Sequence, residues 1–128
     1  MEDVFQKLIL MIRAYYPVLY LHSYEYYRTK QKIKGIVELL RREGKKVNYY
    51  QWDCVYGLVQ ILPDKTEKRI ERMQNPLEVL AYILNSKKSG EKNIFVLDDI
   101  NNHIDRDEVK LMFRKIAEAT NNNTHAII

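Results

Sequence analysis

The chain has 128 residues, is 46% hydrophobic and 30% charged, and carries a formal charge of +4 with a pI near 9.1. That is enough for one domain with its own core. A single cysteine, Cys54, excludes an internal disulfide and a Cys-based zinc site. No apolar run reaches the roughly 18 residues of a membrane span, and Glu2 and Asp3 are not the basic start of a signal peptide, so a soluble cytoplasmic domain is expected. The basic excess is uneven. Residues 1–64 hold 10 Lys and Arg against 7 Asp and Glu, residues 65–92 hold 7 against 4, and residues 93–128 hold 4 against 6.

Val4, Phe5, Leu8, Ile9, Ile12 and Tyr15 recur at helical spacing and predict an amphipathic helix over 3–15, closed by Pro17. Val18-Leu19-Tyr20-Leu21-His22 is an almost wholly apolar run, the pattern of a strand buried on both faces of a parallel sheet. Residues 25–43 carry Tyr26, Ile33, Ile36, Val37 and Leu40 on one stripe, with lysines and arginines elsewhere. They predict a helix ended by Gly44, with Arg41 and Arg42 at its negative pole. Val47 to Cys54 is rich in aromatic and β-branched residues and predicts a strand, with Cys54 expected as a buried filler. Gly57 to Leu62 predicts one arm of a hairpin turning at Pro63-Asp64-Lys65.

Asn75-Pro76-Leu77-Glu78 is a helix start, since Asn caps and Pro at the first helical position loses nothing by lacking an N–H. Leu77, Leu80, Ala81 and Leu84 are its expected buried stripe. Ile94-Phe95-Val96-Leu97 is a second continuous apolar run, closed by Asp98-Asp99. Asp105 with Glu108 suggests a capping box for a helix over 106–119, buried through Val109, Met112, Phe113 and Ile116. Thr124 to Ile128 begins a further apolar strand. Alternation of strands and helices gives an α/β class with a parallel sheet and helices on both faces, three layers in all. Ending on a bare apolar strand points to a piece of a longer protein.

Two places carry chemistry. The turn after the first strand reads His22-Ser23-Tyr24-Glu25-Tyr26-Tyr27-Arg28-Thr29-Lys30. A phosphate loop needs glycines, so that backbone N–H groups can wrap the phosphates, and a lysine to neutralise them. No glycine is present, although Ser23, Thr29 and Lys30 stand where such a loop would be. Asp98, emerging from an apolar strand, matches the Walker B acid that holds Mg²⁺, and Asp99 stands where hydrolytic versions carry Glu. His22, His103 and His125 show no metal-ligand spacing, and the serines lie in no nucleophile elbow.

Tyr16-Pro17-Val18-Leu19-Tyr20-Leu21, Gln51-Trp52-Asp53 and Asn93-Ile94-Phe95-Val96-Leu97-Asp98-Asp99-Ile100, taken in this order, resemble the N-terminal region of the uncharacterised AAA-type ATPases of the hypothetical-chloroplast-open-reading-frame class. The resemblance implies a degenerate P-loop NTPase domain of AAA-like topology over residues 1–128. Its strand order would be 5-1-4-3-2, with the fifth strand beyond the C-terminus. It also implies a true ATPase module downstream that binds ATP and Mg²⁺. By position Asp98 and Asp99 match the Walker B pair, and Ser23, Thr29 and Lys30 the ruined phosphate loop.

The function expected is that of a non-catalytic ATPase-like module, without cofactor of its own, acting in assembly, docking or regulation. Its partners would be its own downstream AAA module and neighbouring subunits, with no membrane role. The alternatives are a vestigial but still ATP-binding domain, and a weak nucleic-acid module using Lys30, Lys32, Lys34, Arg41, Arg42, Lys45 and Lys46. In the implied strand order the 18–22 strand lacks its outer neighbour. A homodimer through that exposed edge, or cover by the 3–15 helix, is then expected.

Overall fold

The computed structural model describes residues 4–13, 18–19, 26–44, 46–64, 66–71, 73–86, 92–98, 100–103, 105–118 and 124–127. The elements run α1 (Val4–Arg13), β1 (Val18–Leu19), α2 (Tyr26–Arg42), β2 (Val47–Asp53), β3 (Gly57–Ile61), β4 (Glu67–Glu71), α3 (Pro76–Ser86), β5 (Lys92–Leu97), a 3₁₀ turn (Ile100–His103), α4 (Asp107–Glu118) and β6 (Thr124–Ile127).

The strands form one six-stranded sheet in the order β1-β6-β5-β2-β3-β4. β1, β6, β5 and β2 are mutually parallel. β3 and β4 are antiparallel additions beyond β2, so the sheet is mixed rather than wholly parallel as expected. The reason is local. Only Cys54 to Tyr56 separate β2 from β3, and a parallel neighbour needs a crossover of a dozen residues or more. Counting the parallel strands alone in chain order, the sheet runs first, fourth, third, second. Among the described residues β1 is bonded on one side only, to β6, with Val18 opposite Ala126. Residues 20–22 of the expected first strand lie outside the described residues.

Both faces of β2 and β5 are buried. On one face Ile9 and Ile12 of α1 and Ile33, Ile36, Val37 and Leu40 of α2 pack on Val47 and Tyr49 of β2 and Ile94 and Val96 of β5. On the other, Val79, Leu80 and Ile83 of α3 and Val109 and Ile116 of α4 pack on Tyr50 and Trp52 of β2, Leu58 of β3 and Phe95 and Leu97 of β5. Successive residues of a strand point to opposite faces, so β5 supplies both cores and its side chains are buried from Asn93 onward. The three-layer arrangement follows.

The termini of the helices explain themselves. Gly44 takes φ +85°, a left-handed conformation suited to glycine, and its N–H closes α2 on the Arg41 carbonyl at 3.0 Å. Asn75 Oδ1 accepts the Leu77 N–H at 3.0 Å and caps α3 with Pro76 next to it. Two sequence expectations shift. The buried stripe of α3 is Pro76, Val79, Leu80 and Ile83, with Leu77 and Leu84 only partly buried. The first carbonyl accepting within α4 is that of Arg106, from the Lys110 N–H at 3.0 Å, so Arg106 rather than Asp105 stands at the cap. Arg106 also lies 3.6 Å from Glu108.

The second core is centred on aromatic rings. Tyr50 stacks on Phe95 with centroids 4.4 Å apart and an interplanar angle of 8°, and Tyr82 meets both edge-on. Trp52 Nε1 donates to the Met73 carbonyl, which ties the segment before α3 to the centre of the sheet. Phe95→Ala removes a ring with no exposed surface and is expected to cost about 3–5 kcal/mol. Leu111→Ala, at a position 48% exposed on α4, is expected to stay within about 0.5 kcal/mol. Urea unfolding followed by circular dichroism measures both.

Candidate functional site

The carboxyl ends of β2 and β5 meet the second turn of α2, and there the structure places a buried ion pair. Lys30 Nζ donates to Asp98 Oδ2 at 2.7 Å; Asp98 is 8% exposed and the Lys30 side chain 21%. Both positions follow from periodicity. Asp98 continues the alternation of Ile94 and Val96, so it points to the α2 face. Lys30 lies three residues before Ile33 and seven before Val37, on the buried stripe of α2. The Asp98 N–H is bonded to the Trp52 carbonyl at 2.9 Å, which fixes the strand end from which the carboxylate projects.

Tyr49 and Gln51 share this face of β2. Gln51 Nε2 donates to the Tyr49 hydroxyl at 2.9 Å. Burial raises the Tyr49 phenol above its ordinary pKa of 10.0. The Gln51 hydrogen bond and the Lys30 ammonium pull it down, and the Asp98 carboxylate adds to the rise. A pocket of about 250 Å³ opens beside the ion pair, lined by Lys30, Gln51, Asp53, Tyr56, Glu67 and Asp98 among others. Asp53 is not free within it, because its Oδ1 accepts the N–H groups of Val55 at 2.8 Å and Tyr56 at 2.7 Å. Crevices at the carboxyl ends of parallel strands are where α/β sheets commonly hold ligands.

Of the five sequence candidates, the structure brings Lys30 and Asp98 together. Thr29 lies half-buried on α2 beside Lys30. Ser23 and Asp99 lie outside the described residues. Lys30, expected as the remnant of a phosphate loop, is the direct partner of Asp98, the acid expected to hold Mg²⁺. Tyr49 and Gln51 were not anticipated, although the alternation along Val47, Tyr49 and Gln51 places them on the face that Asp98 shares. Cys54 is exposed in the β2–β3 turn, which corrects the expectation of a buried filler. The strand ends one residue earlier, at Asp53, and releases the thiol into the turn. Among the described residues no group of three His, Cys, Asp or Glu is placed to hold a metal ion. None of the described helices is long and apolar enough to cross a membrane.

Removing one member of a buried ion pair strands the other charge. Lys30→Met is expected to cost about 2–3 kcal/mol, below the ~3–5 kcal/mol of a fully buried pair because Lys30 keeps some contact with water. The double variant with Asp98→Leu is expected to recover more than half of that loss. A double-mutant cycle by urea unfolding measures the coupling, and additive losses would show that the pair is not coupled. Tyr49 gives a pH dependence. Its folded pKa lies above its unfolded value, so its contribution is complete below about pH 10 and lost as the pH rises through the folded pKa. Tyr49→Phe is expected to flatten the alkaline fall in melting temperature relative to the unsubstituted chain. An unchanged slope would remove Tyr49 from the account.

The family model of the SpoVK-like AAA ATPase N-terminal domain matches residues 4–128, nearly the whole chain. No curated protein and no solved structure matches it. The match carries the AAA ATPase part of the sequence resemblance and its placement at the N-terminal domain; it is to the SpoVK-like family and not to the hypothetical-chloroplast class. With its α/β sheet flanked by helices, the chain belongs to the N-terminal domain family of SpoVK-like AAA ATPases.

Proposed function

We propose that this N-terminal domain is a non-catalytic, ATPase-like module that serves assembly, docking or regulation, while ATP and Mg²⁺ are handled by an ATPase module elsewhere in the protein. The observation that carries the reading is the Lys30–Asp98 pair. In a working nucleotide site the lysine faces phosphates and the acid faces Mg²⁺. Here each neutralises the other at 2.7 Å, so an incoming Mg²⁺ nucleotide would have to separate a buried carboxylate from its partly buried ammonium partner.

Two further features support descent from a P-loop fold that has lost its chemistry. The parallel strands run first, fourth, third, second, in agreement with the AAA order 5-1-4-3-2 for those four. The stretch from His22 to Lys30 contains no glycine, and in sequence Tyr24, Glu25, Tyr26 and Tyr27 put bulky residues and a negative charge in place of a phosphate loop's glycines. A second reading, residual ATP binding, has one observation in its favour: Lys30 and Asp98 stand side by side at the carboxyl ends of the strands, where a nucleotide's phosphates and metal would need them. The nucleic-acid reading rests on the basic face of α2 and extends only to non-specific binding, weaker than roughly 10⁻⁶ M at physiological salt.

Titration calorimetry of the domain with ATP and Mg²⁺ at millimolar concentration is expected to give no saturable heat. A saturable isotherm lost in Asp98→Ala would replace the first reading by the second. The docking role has its own test, which compares the whole protein with a form lacking this domain, by sedimentation and by ATPase rate. A changed assembly state or rate is expected, and identical behaviour would overturn the role.

A further inference from the structure

The helical cover of the sheet is lopsided. On the α3–α4 side, Leu58 of β3 belongs to the core and Ile70 of β4 packs against it. On the α1–α2 side, among the described residues, the core is drawn from β2 and β5. Ile61 of β3 is only partly buried against it, and β4 contributes nothing. A groove of about 800 Å³ therefore runs between α2 and the β3–β4 hairpin. Its α2 wall presents Lys34, Gly35, Glu38 and Arg42, and its opposite wall Ile61, Leu62 and Pro63.

The groove is built and held open. Arg41 donates from Nε and Nη2 to the Val47 carbonyl at 3.2 and 2.9 Å, and from Nη2 to the Ile61 carbonyl at 3.5 Å. It thereby bolts the end of α2 to the ends of β2 and β3. Burial there lowers the guanidinium's pKa, with Glu38 opposing, and the charge remains. Gly35 leaves the backbone of α2 bare in the groove wall, at a helix-interior position where glycine costs about 1 kcal/mol relative to alanine. That permits close approach of another chain.

Charge selects the occupant. The groove is lined by Lys34, Arg41 and Arg42 against Glu38 and Glu67, so its lining keeps a small positive excess. A nucleic-acid backbone would present a phosphate at every step to a lining interrupted by Glu38 and Glu67 and to the apolar wall of Ile61, Leu62 and Pro63. A polypeptide can space its acids to avoid both glutamates and can set aliphatic side chains on that wall. We propose that this groove docks an acidic polypeptide segment with aliphatic anchors, supplied by a partner protein. The inference rests on the docking reading and names the surface that performs it.

Phage-displayed random dodecapeptides panned on the domain, with the enriched peptide synthesised and measured by fluorescence anisotropy, test the groove. The selected peptides are expected to combine Asp or Glu with Leu, Ile or Val. Lys34→Glu with Arg42→Glu is expected to weaken the enriched peptide by about tenfold or more. Gly35→Leu, which fills the groove wall, is expected to weaken it as well. Arg114→Glu with Lys115→Glu makes the same charge change at exposed positions of α4 on the opposite face and is expected to leave affinity within about twofold. Thermal melts by circular dichroism show whether each variant is folded. Enrichment without acids, or equal loss in the α4 variant, overturns the groove assignment. An oligonucleotide bound more tightly than the enriched peptide overturns it in favour of nucleic acid. The same α2 substitutions in the whole protein separate the two levels. If removing the domain changes assembly but the α2 variant does not, the docking role stands and the groove falls. If neither has an effect, both fall.

Discussion

A strand hydrogen-bonded on both sides and covered on both faces has no solvent to fall back on. β5 is that strand. Its aliphatic and aromatic side chains meet this condition by alternating between two cores, Ile94 and Val96 toward α2 and Phe95 and Leu97 toward α3 and α4. Its polar residues must find partners instead. Asn93 is 2% exposed, and its Oδ1 accepts from Asn48 Nδ2 at 3.0 Å across to β2. Asp98, at the far end, takes Lys30. The ion pair is thus as much a requirement of the central strand as a relic of chemistry, because an unpaired carboxylate at that depth would be expensive.

The same constraint relates the two halves of the molecule. Among the described residues α1 and α2 pack in one core and α3 and α4 in the other, and β2 and β5 carry residues of both. The aromatic cluster of Tyr50, Tyr82 and Phe95 lies directly behind the face that holds Tyr49 and Gln51. Packing on one side therefore sets the position of the strands from which the polar groups on the other side project.

Much of this architecture was legible in the residues. Continuous apolar runs identified β1, β5 and β6 as parallel strands, and Asn75-Pro76 and Gly44 marked helix ends by local chemistry that tertiary contacts do not override. What escaped was what depends on distance along the chain. Lys30 and Asp98 are each ordinary in their own neighbourhoods, and only the crossover that lays α2 over β5 makes them partners. The stripe of α3 was misplaced because that helix is apolar nearly all round, so leucine spacing alone did not say which side met the sheet. Cys54 was misplaced because a one-residue difference in where a strand ends decides between core and turn.

The position of β1 has a consequence for how the molecule comes into being. β2, β3 and β4 are neighbours in sequence and can pair while the rest of the chain is still unstructured. β1 pairs with β6, from nearly the opposite end of the chain, and closing that loop carries a large entropy cost before any contact offsets it. During synthesis the first strand must wait for the last to emerge. The sheet is then expected to zip from its antiparallel edge toward its N-terminal edge, and amide exchange during refolding would register protection at Tyr50 and Val59 well before the β1 amide that bonds to β6.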